Sequence, residues 1–163
     1  NLRDAGLIDA PAILACADSA IRCCITPAGY FNAKTRKLCE FAFFFQELAG
    51  RCPSREQLLA VWGIGPETAD SMLLYAYGKC CFVVDAYTRR IFSHLGLADR
   101  NWRYETLKTF IESGLPRDLC VYQEFHALLV EHAKNCYRRP PYSDPLLKSA
   151  TDEAGLLSES VST

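Results

Sequence analysis

The sequence predicts an all-α fold of roughly eight helices joined by short loops. Three observations carry that expectation. Apolar residues recur at helical spacing along most of the 163-residue chain. Helix start and stop signals alternate at short intervals, with no internal repeat or heptad. The one apolar run that resembles a strand, 80–84, has no second run to pair with, so it reads as a buried extended connection. Half of the residues are hydrophobic and 12% are aromatic, enough to bury a core in a chain of this size.

The elements follow in order. Asp9 caps a helix with Pro11 in its first turn and Ile13, Leu14 and Ala17 on its apolar face. Asp18 or Ser19 caps a short piece carrying Ile21, Cys24 and Ile25, stopped by the Thr26-Pro27-Ala28-Gly29 turn. Asn32 caps a long helix to about Leu48, with Leu38, Phe41, Ala42, Phe45 and Leu48 in register and Gly50 as its stop. Ser54 and Gln57 match a capping box and open a helix that ends at Trp62. Gly63-Ile64-Gly65-Pro66 breaks the chain, and a second helix runs from Glu67 to about Tyr77. Asp85 caps a helix from Ala86 to about Leu95. Asn101 caps the next, Trp102 to Ser113, and a last helix runs from about Arg117 to Cys136 before Pro140-Pro141.

Composition narrows the function classes. No apolar run is long enough to span a bilayer, and no signal-peptide pattern is present. A net charge of −1 argues against a generally basic nucleic-acid binder while leaving room for a local patch. Nine cysteines show no C-x-x-C spacing. Cys16, Cys24, Cys39 and Cys120 sit in apolar segments, where a free thiol behaves as a small hydrophobe. An odd count favours a reducing cytosol over a disulfide framework. The chain opens on Asn1, already in helical character, and reads as lacking an N-terminal segment.

The stretch 58–85 is the functional centre of this reading. Gly63 and Gly65 bracket Ile64 in a turn whose backbone donors, with the start of the following helix, attract an anion. A single carboxylate, Asp85, follows the apolar run. On general grounds a lone G-x-G is most often a plain helix–helix turn.

Leu58-x-x-Val61-Trp62-Gly63-Ile64-Gly65-Pro66-Glu67-Thr68-Ala69-Asp70, then Val83-Val84-Asp85-Ala86-Tyr87-Thr88-Arg89-Arg90, resembles the helix-hairpin-helix, Gly/Pro-rich-loop and Asp motif of the endonuclease III superfamily of DNA glycosylases. Upstream, Gly29-Tyr30-Phe31-Asn32-x-Lys34 is similar to that family's entry into its long helix. The resemblance runs from about residue 1 to residue 147. It implies two helical lobes with a cleft between them. The first lobe would be 1–83, containing the hairpin at 58–78, and the second 84–148, with Asp85 at the cleft. A disordered tail would follow at 149–163.

Departures from the family pattern sharpen the expectation. Bifunctional members carry a lysine two residues after the second hairpin glycine, where it forms a Schiff base with the sugar. Glu67 stands there in this chain. The sequence therefore looks like the monofunctional branch and is most similar to the 3-methyladenine DNA glycosylases of the MagIII type. The implied activity is hydrolytic excision of an alkylated purine from double-stranded DNA in base-excision repair, by a monomer, without cleavage of the strand, in a bacterial or archaeal cytoplasm. The family often carries a [4Fe-4S] cluster on four C-terminal cysteines. Cys136 matches the first ligand, but Ser143 and Leu146 fall at the next two positions, so neither cluster nor other metal is expected. Pro140-Pro141 with Leu146 and Leu147 would supply packing instead.

By this resemblance Asp85 is the catalytic acid, stabilising an oxocarbenium-like sugar, and it doubles as a helix cap. Gly63, Ile64, Gly65, Glu67, Thr68 and Arg89 are the candidate DNA contacts. Glu67 also suits the helix dipole as an acid in a first turn, and Lys79, Arg89 and Arg90 suit either phosphate or solvent. Lys134 and Tyr30 are candidates for the base pocket. His126 and His132 read as packing histidines and Trp62 as core. Two alternatives stay open: a catalytically impaired or non-enzymatic helix-hairpin-helix DNA-binding module, and another endonuclease III-like base-excision enzyme.

Overall fold

The computed structural model describes residues 1–147. The stretch 149–163, expected to be disordered, lies outside the described residues. Helices account for the regular structure, and among the described residues there is no strand. The chain divides into two compact units, Asn1–Ala69 and Asp70–Thr163.

In the first unit α1 (Ala10–Ala15) and α2 (Asp18–Ile25) lie along the long α3 (Phe31–Leu48). Asp9 caps α1, its side chain accepting from the Ala12 amide. Helix α2 starts at Asp18 itself, so neither Asp18 nor Ser19 is its cap. Leu7, Ala10, Ile13, Ile21 and Ala42 form the core. Thr35 and Ala42, both small, are among the buried positions of α3 and allow its neighbours a close approach. Phe45, expected on that inner face, is 48% exposed and packs beside Phe41 instead.

The entry to α3 also differs from expectation. Asn32 is not the cap. Gly29 (φ 65) and Tyr30 (φ 49) turn the chain in succession, and the helix starts at Phe31. Lys34 Nζ donates back to the Ala28 carbonyl at 2.6 Å, tying that turn down. Ser54 then opens α4 (Arg55–Ala60) with both bonds of its capping box formed.

Helix α5 (Pro66–Ser71) begins on Pro66 and passes into a π turn, Met72–Ala76. The second unit holds α6 (Ala86–His94), α7 (Tyr104–Gly114) and α8 (Leu119–Cys136). Helix α7 starts after Arg103, two residues later than expected, because the Asn101 amide is taken into a turn by Asp99 Oδ1. Asp118 caps α8 through the Val121 amide, moving its start to Leu119.

The unit boundary falls within α5, upstream of residue 83. The reason is packing: Phe82 and Val83, assigned by sequence to the first lobe, are buried with Val84, Leu74, Ile91, Leu107, Ile111, Tyr122, Leu129 and Tyr137. Residues 80–84 run extended without a strand partner because side chains of α7 serve their amides. Phe82 N–H donates to Glu112 Oε1 at 2.8 Å, and Val84 N–H donates to Tyr104 Oη at 3.3 Å. All nine cysteines are free, with Cys120 exposed rather than in the core. No helix among the described residues is long and apolar enough to cross a membrane.

Candidate active site

The hairpin sits on the first unit. Gly63 has φ +86, and a Cβ there would come within 2.5 Å of Lys37 Cγ on α3, so this glycine is required by its own conformation and by close packing. Gly65 differs. Its φ is not positive, and an added Cβ would meet nothing within 4 Å. Folding therefore does not explain Gly65, although the sequence reading treated the two glycines alike. Ile64 is half-buried and its amide donates to the Val61 carbonyl at 3.1 Å. Glu67 and Thr68 are exposed in the first turn of α5. Trp62, expected in the core, is 44% exposed, with the Arg36 guanidinium 3.8 Å above its ring.

Asp85 opens α6 in the second unit. Its Oδ1 accepts from the Thr88 amide at 2.7 Å, which fixes the carboxylate. Its Oδ2 lies 3.9 Å from His126 Nε2. Tyr75 Oη lies 2.7 Å from His126 Nδ1 and also reaches the Gln123 carbonyl at 3.5 Å, so the ring is held through Nδ1 with Nε2 facing Asp85. That Nε2 is buried and has no hydrogen-bond partner. Burial in contact with Phe82 pushes the His126 pKa down, and the Asp85 carboxylate opposes the shift only in part. His126 thus packs against Phe82 and Tyr75 and also faces the candidate acid.

Behind residues 80–84 lies a buried polar network. Lys108 Nζ donates to Asp70 Oδ2 at 2.9 Å and to Cys81 Sγ at 2.8 Å. Cys81 Sγ donates to Asp70 Oδ1 at 2.9 Å, and Tyr104 Oη donates to Asp70 Oδ2 at 2.8 Å. Burial, then the Asp70 bond, raises the Cys81 thiol to about 11. Burial pulls Lys108 down, but its bonds to Cys81 and Asp70 outweigh that and leave its pKa raised. The thiol stays protonated and the ammonium charged. Tyr104 closes the chain of contacts, since its hydroxyl also receives the Val84 amide next to Asp85.

The remaining candidates are scattered. Arg89 is half-buried, its Nη1 donating to the Trp102 carbonyl, which fastens the loop before α7. Arg90 donates to the Tyr137 carbonyl. Lys134 is exposed, sits 3.6 Å from Glu131, and lines a cavity of about 300 Å³ with Tyr87 and Arg138. Tyr30, on the first unit, is 88% exposed and left-handed, an uncommon conformation for a bulky residue. In the second unit the fold brings Asp85 together with His126 and Tyr75. It places Arg89 on backbone carbonyls and Lys134 in a separate cavity.

At the end of α8, Cys136 is the last cysteine of the chain. Its neighbours are His132 and Asp144 rather than further thiols. A cubane cluster needs four cysteine ligands, so the residues present do not fit one. His132, also expected to be packing, has its Nε2 2.6 Å from Asp144 Oδ2. Leu147 packs against the core as expected, whereas Leu146 is 70% exposed. Sequence reasoning gave no role to Asp70, Lys108, Tyr75 or Asp144. An aspartate among the buried positions of α5 and a lysine among those of α7 were the available signals.

Comparison with known proteins places the chain in a family. A family model described as the HhH-GPD superfamily base excision DNA repair protein matches residues 1–117. A candidate DNA repair glycosylase of Methanocaldococcus jannaschii is 38% identical over 155 residues, covering 88% of this chain and 70% of that protein. Endonuclease III of Sulfolobus acidocaldarius is 29% identical over 126 residues, 74% of this chain, which spans 56% of that protein. Among solved structures, the H. pylori 3-methyladenine DNA glycosylase MagIII bound to 1,N6-ethenoadenine superposes with a TM-score of 0.69 at 26% identity, over 82% of this chain and 73% of that one. An endonuclease III–DNA covalent intermediate gives 0.76 at 18% identity, over 86% and 67%, a likeness of fold.

Proposed function

Because the chain belongs to the HhH-GPD superfamily of base excision DNA repair proteins, we propose that it acts as a monofunctional DNA glycosylase on an alkylated purine of the 3-methyladenine kind, in a prokaryotic cytoplasm. The observation that carries the reading is the pair formed by Asp85, pinned through Oδ1 with Oδ2 left over, and an acid at position 67 where a bifunctional enzyme needs an amine.

The Gly63–Gly65 turn holds the phosphate backbone of the damaged strand, with Thr68 and the exposed start of α5 beside it. The target nucleotide leaves the stack. An alkylated purine is already cationic, so the C1′–N bond breaks with its electron pair passing to the base and cancelling that charge. Asp85 Oδ2 stabilises the cationic sugar. Water then adds to C1′ and passes its proton to Asp85 Oδ2, which returns it to bulk solvent. Tyr30 and Lys134 are weaker candidates for contacts to the extruded base. No iron–sulfur cluster takes part, and the protein works as a monomer.

Incubating the chain with duplex DNA carrying 3-methyladenine tests this. Free base should appear without strand nicking, and Asp85→Asn should slow its release by at least about a hundredfold, the scale of losing one electrostatic stabiliser. Prompt nicking with a borohydride-trapped adduct overturns the monofunctional assignment. One competing reading is a binding module without chemistry. That reading predicts salt-sensitive duplex binding that survives Asp85→Asn, with no base released.

A further inference from the structure

His132, Cys136 and Asp144 gather an imidazole nitrogen, a thiol and a carboxylate oxygen within 4.8 Å of one another at the end of α8. We propose that these three side chains bind a single divalent cation of the zinc class, with solvent as fourth ligand. His132 and Cys136 are four residues apart on one helix, so they share a face. Asp144 arrives from the loop beyond it.

Asp144 is held as a ligand would be. Its side chain is 2% exposed, and its Oδ1 accepts from both the Leu146 and Leu147 amides at 3.0 Å. That leaves Oδ2 facing His132, and such outer bonds orient a metal ligand. Tyr137, fully buried, brings its hydroxyl beside this carboxylate.

Tetrahedral zinc with bonds of about 2.0–2.3 Å spaces its donors roughly 3.3–3.8 Å apart. The 2.6 Å separation of His132 and Asp144 must open, and the widest pair, within 4.8 Å, must close. Each is a change of about an ångström, within reach of side-chain rotation. Nitrogen, sulfur and oxygen together suit zinc and exclude magnesium and calcium, which avoid thiolate. On binding, the imidazole proton moves by way of solvent from Nε2 to Nδ1, Nε2 donates to the metal, and the thiol proton is released to water. The cation would cross-link the end of α8 to the segment leading to Leu147. This is a mononuclear site of mixed donors and owes nothing to a four-thiolate cluster.

Cobalt(II) titration of the chelator-treated, reduced chain is the test. A thiolate-to-cobalt charge-transfer band and tetrahedral visible bands should saturate at a single equivalent and bleach with zinc. Cys136→Ser should abolish the charge-transfer band, His132→Gln should weaken binding at least about tenfold, and the exposed-site variant Cys52→Ser should leave both unchanged. A missing band, or one that persists in Cys136→Ser, overturns the proposal. Should a variant fail to fold, alkylation mapping of the unmutated chain decides. Zinc must slow iodoacetamide labelling of Cys136, and an equal rate with and without zinc overturns the site.

Discussion

Asp85 and His126 face each other across 3.9 Å, and that gap has a measurable pH consequence. Burial lowers the His126 pKa below its usual 6.5, with Asp85 pulling the other way. In the unfolded chain the ring takes up a proton first, so unfolding gains protons as pH falls. The stability from the neutral ring is fully present above pH 6.5 and is lost as pH drops through the lower folded value. Urea melts across that window should therefore show stability declining on acidification, and His126→Gln should flatten the slope. An unchanged slope in the variant would place the titration elsewhere. None of this was legible in the sequence, because the contact spans 41 positions, from Asp85 to His126, and rests on Tyr75 holding the ring from a third element.

At the scale of elements, local signals read well. Asp9, Ser54 and Asp85 cap the helices assigned to them, because a side-chain oxygen three residues before a free amide is a short-range feature. The cap of α3 read badly, because Gly29, Tyr30 and the Lys34 bond to Ala28 form the turn and no side-chain capping bond marks the start. In the hairpin, the two glycines should separate on mutation. Gly63→Ala forces an alanine to φ +86 against Lys37, a cost of about 1–2 kcal/mol. Gly65→Ala meets open space and should leave stability level or raise it by about 0.4–1 kcal/mol, while weakening duplex binding where a phosphate must come close. Equal destabilisation of both in urea melts would contradict this account.

For the molecule as a whole, all-helical architecture was legible from periodicity, whereas the unit boundary was not. Residues 80–83 close the first lobe in the sequence reading, yet Phe82 and Val83 lie with Val84 in the second unit's core. The Asp70–Lys108 pair joins α5 to α7 within that unit, with Asp70 completely buried. Lys108→Met should destabilise by roughly 3–5 kcal/mol, since it takes the bonded cation away from a buried carboxylate and leaves it the neutral donors at Tyr104 and Cys81. Asp70→Asn combined with Lys108→Met should cost less than the single change, and thermal melts compare the two.

The side chains that satisfy the backbone of residues 80–84 lie downstream, at Tyr104 and Glu112. A ribosome delivers Asp85 27 residues before Glu112, so the segment carrying the acid emerges while its amides still bond to water. During synthesis the acid is exposed early and set in place late. The order of assembly runs against the order of the sequence, and the site matures only once α7 has docked.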